Sequence, residues 1–171
     1  MSDNTFVVDT SKCQGCRACQ VACKQWNGLP DEPTSFFAGP EYTNPARLSD
    51  ITWNHVVFFP VDFRTPERPL WTIMHKKCFH CYYANCLAIC PEKAIYKKDG
   101  WVLVDQDRCI GCGACENVCI YEVPRVSGKT FINDMGQDIV QKDKAHKCNA
   151  CMLNQREVPA CVFTCPSHAL L

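Results

Sequence analysis

Sixteen cysteines fall into four groups of four, and thiolate is the soft metal ligand among side chains. The groups are Cys13, Cys16, Cys19, Cys23; Cys78, Cys81, Cys86, Cys90; Cys109, Cys112, Cys115, Cys119; and Cys148, Cys151, Cys161, Cys165. Groups one and three share the spacing C-x2-C-x2-C-x3-C. Three thiolates on one tight loop can cap three corners of an iron–sulfur cubane. The fourth, a helical turn further on, points away and reaches a second one. Sixteen ligands at four per cluster make four 4Fe-4S clusters and leave no cysteine over.

Rival chemistries fit less well. Zinc uses four cysteines as two separated C-x2-C knuckles, and only group four, C-x2-C-x9-C-x3-C, resembles that. A disulfide scaffold would suit this cysteine density in a secreted chain, but Met1-Ser2-Asp3-Asn4-Thr5 has no basic start and no apolar core. There is no G-x-S-x-G, Walker A or G-x-G-x-x-G phrase, and with every thiol committed to metal none is left as a nucleophile. The chain therefore reads as an electron carrier rather than a catalyst. His80, His146 and His168 displace no cysteine; His80 reads as a partly exposed residue or a hydrogen-bond donor to sulfur, and His168 as a turn residue. Asp31 and Glu32 read as linker carboxylates facing water.

The elements that must hold these groups form a nested repeat. Phe6-Val7-Val8-Asp9 predicts a short strand feeding group one, and Arg17 to Trp26 a helix carrying Cys19 and Cys23, stopped at Asn27-Gly28-Leu29-Pro30. Trp101 to Asp105 repeats that strand before group three and a helix from Gly113 to Cys119. Groups two and four both end in Cys-Pro (Pro91, Pro166) and continue to Ala94-Ile95-Tyr96 and Ala169-Leu170-Leu171. Asp99-Gly100 is a hairpin turn signal.

Two-cluster bacterial ferredoxins exchange the last ligand between their two runs. Groups two and three, close in sequence, then form one lobe, and groups one and four meet across the chain to form the other. The expected ligand sets are Cys13, Cys16, Cys19, Cys165 (cluster 1); Cys78, Cys81, Cys86, Cys119 (cluster 2); Cys109, Cys112, Cys115, Cys90 (cluster 3); and Cys148, Cys151, Cys161, Cys23 (cluster 4). The fold class is α+β, two nested dicluster ferredoxin-like lobes with an added β-hairpin and long irregular linkers. Lobe A takes residues 1–27 and 146–171, and the inserted lobe B residues 72–125. Residues 28–71 are linker and hairpin: Trp53 to Phe63, a turn at Arg64 to Pro69, then Leu70 to His75. Their aromatics Trp53, Phe58, Phe59, Phe63 and Trp71 are expected in the core. Residues 126–145 connect, with a short strand near Thr130-Phe131-Ile132.

Around the clusters, Gly15, Gly111 and Gly113 are expected to bring amide N–H groups onto sulfur. Ile89, Ile110, Ile120 and Val162 are expected to exclude water. Lys12, Arg17, Lys24, Lys76, Lys77, Arg108 and Lys147 could offset the clusters' negative charge. Eighteen basic and eighteen acidic residues balance to zero, which gives no case for nucleic acid. No apolar run reaches the roughly 18 residues of a membrane span. The expected compartment is the cytoplasm, or the periplasm by co-export with a partner that carries a signal.

The phrase from Cys13 to Asn27 (CQGCRACQVACKQWN), with Asn44-Pro45, Leu48-Ser49 and Thr52-Trp53, resembles the four-cluster iron–sulfur subunits of molybdenum and tungsten oxidoreductases. The formate dehydrogenase β subunits and the dimethyl sulfoxide reductase iron–sulfur subunits are similar, as is the small subunit of tungsten aldehyde oxidoreductase. The resemblance implies a molybdenum- or tungsten-pterin catalytic partner, a further electron-accepting subunit or soluble carrier, and a linear row of clusters between them. A free-standing polyferredoxin shuttle is the alternative, and exposed end clusters would also let copies stack. Ile120 stands where many relatives have proline after the group-three run. The absence of an anchoring helix after Leu171 is read as favouring a complex without one.

Overall fold

The computed structural model describes residues 4–36, 42–59, 72–152 and 157–171. Short helices alternate with two-stranded antiparallel ribbons, a mixed α and β architecture. Helix α1 (Ala18–Asn27) is the longest and buries Cys19, Gln20, Ala22, Cys23 and Asn27, a stripe recurring at three- and four-residue intervals. It ends as Asn27-Gly28 predicts. The N–H groups of Gly28 and Leu29 donate back to Gln25 and Lys24 carbonyls at 3.3 and 2.9 Å, which satisfies the free carbonyls of the last turn.

Strands β1 (Asn54–Phe59) and β2 (Thr72–Lys77) pair antiparallel from Asn54↔Lys77 to Phe59↔Thr72. The expected hairpin turn, with Phe63, Leu70 and Trp71, lies outside the described residues. Strand β2 runs past its expected end at His75, because Asn54 and His55 pair with Lys77 and Lys76. Trp53 is buried and Phe58 packs against the same core. Helix α2 (Asn85–Ile89) leads to ribbon β3 (Ile95–Lys98) and β4 (Trp101–Val104), closed by Asp99 and Gly100 with φ of +49° and +80°, the signs a two-residue type I′ turn requires. Helix α3 (Ala114–Val118) lies within group three, carrying Cys115 and ending at Cys119.

Beyond it the chain is more regular than a polar connection with one strand. Strand β5 (Arg125–Val126) pairs with β8 (Ala145–His146), and β6 (Phe131–Ile132) with β7 (Asp138–Val140). Helix α4 (Ala160–Phe163) precedes the last cysteine. The chain then returns to its start. Val7 and Leu171 exchange N–H···O bonds of 2.9 and 3.0 Å, and the Asp9 N–H donates to the Ala169 carbonyl at 2.8 Å. Asp105 N–H donates to the Ala94 carbonyl at the same 2.8 Å, so each Cys-Pro-x-x-Ala phrase meets a strand ending in Asp.

Two apolar clusters hold the molecule. One gathers Phe6, Trp53, Val56, Val140 and Leu170 with five buried cysteines, and the other Ala94, Ile95, Val102 and Ala145 with Cys109 and Cys115. Thiols take the place that aliphatic side chains hold in an ordinary core. The segment 28–50, in its described parts, has no helix or strand, yet it is pinned. Lys24 Nζ donates to the Pro30 and Ile51 carbonyls at 2.7 and 3.1 Å. Glu32 does not simply face water: it is half-buried and accepts the Thr52 hydroxyl.

Candidate metal centres

Four neighbourhoods of thiols emerge. One small cavity is lined by Cys13, Cys16, Cys19 and Cys165. A second is lined by Cys90, Cys109, Cys112 and Cys115. Burial pushes the Cys23 thiol well up, and neighbouring Cys148, Cys161 and Cys151 push further. Burial likewise raises Cys86 to about 11, with Lys147 opposing and Cys78, Cys119 and Cys81 adding. All sixteen cysteines fall into these sets. Across the sets, the charge of Cys161 raises Cys19, that of Cys78 raises Cys148, and that of Cys86 raises Cys115. A larger cavity, about 500 Å³ between the end of α1, β4 and β6–β7, touches thiols only at Cys148.

The thiols accept hydrogen bonds as thiolates would. Backbone N–H groups donate to sulfur from Ala94 to Cys90 (3.3 Å), Ala145 to Cys109 (3.3 Å), Ala150 to Cys148 (3.4 Å), Ala160 to Cys151 (3.5 Å) and Ala169 to Cys165 (3.3 Å). Burial would raise Cys165, but N–H groups of Leu170, Ser167 and Ala169 and the Ser167 hydroxyl outweigh it and its pKa falls. Cys148 shows the opposite balance, pushed up to about 12 mainly by burial. Such thiols stay protonated near neutrality, so binding metal must release their protons.

The set fits a polynuclear iron–sulfur group. Four-thiol cavities with amide donors aimed at sulfur suit an anionic core. Among the described residues, no three His, Cys, Asp or Glu side chains gather closely enough for a single ion. The absent inorganic part would fill the space that the thiols enclose.

Two glycines have a steric role that their spacing did not reveal. A Cβ on Gly15 would lie 2.6 Å from the Phe58 ring, and one on Gly111 only 2.2 Å from the Asp143 carbonyl oxygen; nothing comes within 4 Å at Gly113. The β1 strand and the β7–β8 loop press on these two cysteine loops.

Of the seven basic residues, four bind elsewhere among the described residues and a fifth lies on a strand. Lys12 pairs with Asp9 at 3.1 Å, Arg17 donates to the Tyr42 carbonyl, Lys24 holds the linker, Arg108 donates to the Glu92 carbonyl, and Lys76 lies on β2. Lys77 and Lys147 reach sulfur. Lys77 is wholly buried and donates to Cys161 Sγ at 3.2 Å. Burial lowers its pKa, but Cys161 and Cys148 overcome this and the net shift is upward. Breaking a buried pair of this kind costs about 3–5 kcal/mol.

His80 is not partly exposed. It is buried against Phe6 and Trp101, its Nδ1 accepts the Val102 N–H at 3.0 Å, and Nε2 has no hydrogen-bond partner among the described residues. His75, unremarked in the sequence, places Nε2 3.3 Å from Cys13 Sγ, and burial lowers its pKa to about 4. His146 pairs with the Gln141 backbone. His168 takes a positive φ of 50°, as a turn residue does. Ile89, Ile110 and Ile120 do not exclude water within this chain: they are 47, 60 and 79% exposed. Helix α2 buries none of its residues fully and turns Leu87, not Ile89, to the second core. Ile110 and Ile120 each follow a cysteine on a loop and face its surface. Val162 does pack against the core.

Two family models match, each described as a 4Fe-4S dicluster domain, over residues 12–94 and 69–171. The chain belongs to this dicluster family of iron–sulfur subunits of oxidoreductases, whose part is electron transfer rather than catalysis. It is similar to the formate dehydrogenase iron–sulfur subunit of Haemophilus influenzae, at 32% identity over 96% of this chain and 49% of that one. A sulfite dehydrogenase subunit of Allochromatium vinosum is 33% identical over the whole chain and 68% of its own length. The probable anaerobic dimethyl sulfoxide reductase chain YnfG of Escherichia coli is 32% identical over 96% of this chain and 70% of its own. The chain thus spans about half the length of the formate dehydrogenase relatives. Among the described residues no helix is long and apolar enough to cross a membrane.

Proposed function

We propose that this chain carries four 4Fe-4S clusters in a row between a metal–pterin catalytic subunit and an external electron acceptor. The ligand sets are those of the exchange rule: Cys13, Cys16, Cys19 with Cys165; Cys148, Cys151, Cys161 with Cys23; Cys78, Cys81, Cys86 with Cys119; and Cys109, Cys112, Cys115 with Cys90. The observation that carries the reading is the meeting of thiols from opposite ends of the chain, Cys165 with group one and Cys23 with group four. Groups one and four then make an outer lobe around an inner lobe of groups two and three. The return of Ala169–Leu171 to Val7–Asp9 supports that nesting.

Bound, such clusters take up and release single electrons. The chain's residues supply the rest. The thiols hold the four groups in the order 1, 4, 2, 3, through the neighbours Cys19 and Cys161, Cys148 and Cys78, and Cys86 and Cys115. Buried Cys23, Cys148, Cys151 and Cys161 keep water from one interior group. The other interior thiols, Cys78, Cys81, Cys86 and Cys119, are half-buried, and exposed Cys16 and Cys112 open one port at each end. The alanine amides fix the sulfurs' hydrogen bonds, which raises potential and limits reorganisation. The relatives' names favour formate, sulfite or dimethyl sulfoxide chemistry in the partner. In this reading the partner's metal is molybdenum or tungsten, and the compartment is the cytoplasm, or the periplasm by co-export.

The test is anaerobic isolation of the full chain with its natural associates. Sixteen iron and sixteen acid-labile sulfide per chain, with a molybdenum- or tungsten-bearing subunit in the same particle, are expected. A colourless protein ends the cluster reading. A loaded chain that isolates without such a subunit is a free shuttle.

A further inference from the structure

A basic residue stands immediately before every thiol group. Lys12 and Arg108, before Cys13 and Cys109, lie at the surface, which leaves Lys77-Cys78, opening group two, and Lys147-Cys148, opening group four. Both are buried, at 0 and 4% exposure. Each ammonium reaches a sulfur of the other's group. Lys77 Nζ donates to Cys161 Sγ of group four at 3.2 Å and lies 3.3 Å from the centroid of the Phe6 ring. Lys147 Nζ stands 3.6 Å from Cys78 Sγ of group two, and it also donates to the Val102 and Cys148 carbonyls. The exchange is reciprocal, and it lies where the Cys148 and Cys78 thiols adjoin, in the middle of the row.

We propose that Lys77 and Lys147 are tuning residues, buried cations that hold the two interior clusters at higher reduction potential than the two end clusters. The proposal rests on the four-cluster reading. An added electron makes a thiolate-ligated cluster more negative, and a cation at hydrogen-bond distance favours that state. The attraction falls with distance and is strongest where water is excluded. At the ends the sulfurs meet different partners among the described residues. Cys13 faces the His75 imidazole, and Cys90 and Cys109 accept from the Ala94 and Ala145 amides. Interior sulfurs accept amides too, at Cys148 and Cys151, but among the described residues the ammonium-to-sulfur hydrogen bonds, to Cys161 and Cys78, both fall at the interior groups. Electrons then settle in the protected middle of the row and spend less time at the exposed Cys16 and Cys112 ends.

The test is a mediated dithionite titration of the full chain followed by EPR, with iron and labile sulfide counted first. A native protein short of sixteen iron sinks the four-cluster reading before any variant is compared. In fully loaded Lys77→Met, one reduction wave falls by at least tenfold in its reduced-to-oxidised ratio at fixed potential, which is 59 mV for one electron. The other three move less. Lys147→Met lowers a different wave, and Lys77→Arg restores the native curve. Loaded Met variants that titrate on the native curve overturn the proposal. If Lys77→Met sheds iron, Lys77→Gln decides, since it keeps an N–H donor without the charge. Loaded and shifted supports tuning; loaded and unshifted, or again iron-poor, makes the lysine a retention element and overturns it.

Discussion

Alanine at three glycines separates backbone strain from the pressure of neighbouring elements on the cysteine loops. Gly15, Gly111 and Gly113 have φ of +66°, +67° and +74°, so alanine at any of them carries a left-handed strain of about 1–2 kcal/mol. At Gly113 that is the whole cost, because a Cβ there meets nothing within 4 Å. At Gly111 the Cβ would stand 2.2 Å from the Asp143 carbonyl oxygen. A normal C···O contact needs about 3.3 Å, so two backbone segments must part by about 1 Å. Overpacking of that kind adds about 1–3 kcal/mol, for a total of about 2–5 kcal/mol. Gly15 lies between, since Phe58 is a ring that can tilt. The assay is iron per chain after anaerobic gel filtration, together with the half-time of iron release to a chelator. Gly111→Ala should lose about four iron atoms, those held beside Cys109, Cys112 and Cys115, with release from that site more than tenfold faster. Gly113→Ala should keep its full complement. If Gly113→Ala sheds as much iron as Gly111→Ala, contact with Asp143 is not what makes Gly111 necessary and the reasoning is wrong.

Cys23→Ser should disturb the EPR signal of the cluster held by Cys148, Cys151 and Cys161 and leave that of Cys13, Cys16 and Cys19; the reverse pattern would reject the exchanged pairing. Lys24→Met removes two charge-assisted bonds to the linker, worth about 2 kcal/mol together. It should speed proteolysis within residues 28–51 more than tenfold at unchanged iron content, and iron loss instead would make Lys24 a cluster residue. Ile120→Ser should shift stability by no more than about 0.5 kcal/mol, as for an exposed site, and a large fall in melting temperature would contradict its 79% exposure.

The sequence spelled out its chemistry because thiolate spacing is a local property. C-x2-C-x2-C-x3-C fixes a loop and a helical turn whatever surrounds them. The stop at Gly28 and the Asp99-Gly100 turn were legible for the same reason, since backbone geometry at those positions depends on the residues themselves. What neighbours decide was hidden. Nothing local distinguishes Lys77 from Lys12, yet one is sealed beside Cys161 and the other pairs with Asp9 at the surface. A Lys-Cys phrase opens group one as well as groups two and four, so the phrase itself gives no signal, and only the fold says which lysine is sealed and which sulfur it meets. Ile120 reads as a shield because isoleucine is usually buried, but a loop at the rim turns it outward. The alanines four residues after Cys90 and Cys165 were visible as an apolar repeat. Their use lies in the amide they bring to sulfur, which side-chain reasoning overlooks.

The Val7 and Asp9 N–H groups donate to the Leu171 and Ala169 carbonyls, at the far end of the sequence. A ribosome adds about 5–20 residues per second, so the first strand waits on the order of 10–30 s for its mate. Meanwhile the ribbon of β3 and β4 has already emerged with the cysteines around it. The bonds between Val7 and Leu171 are therefore made after the β3–β4 ribbon is available.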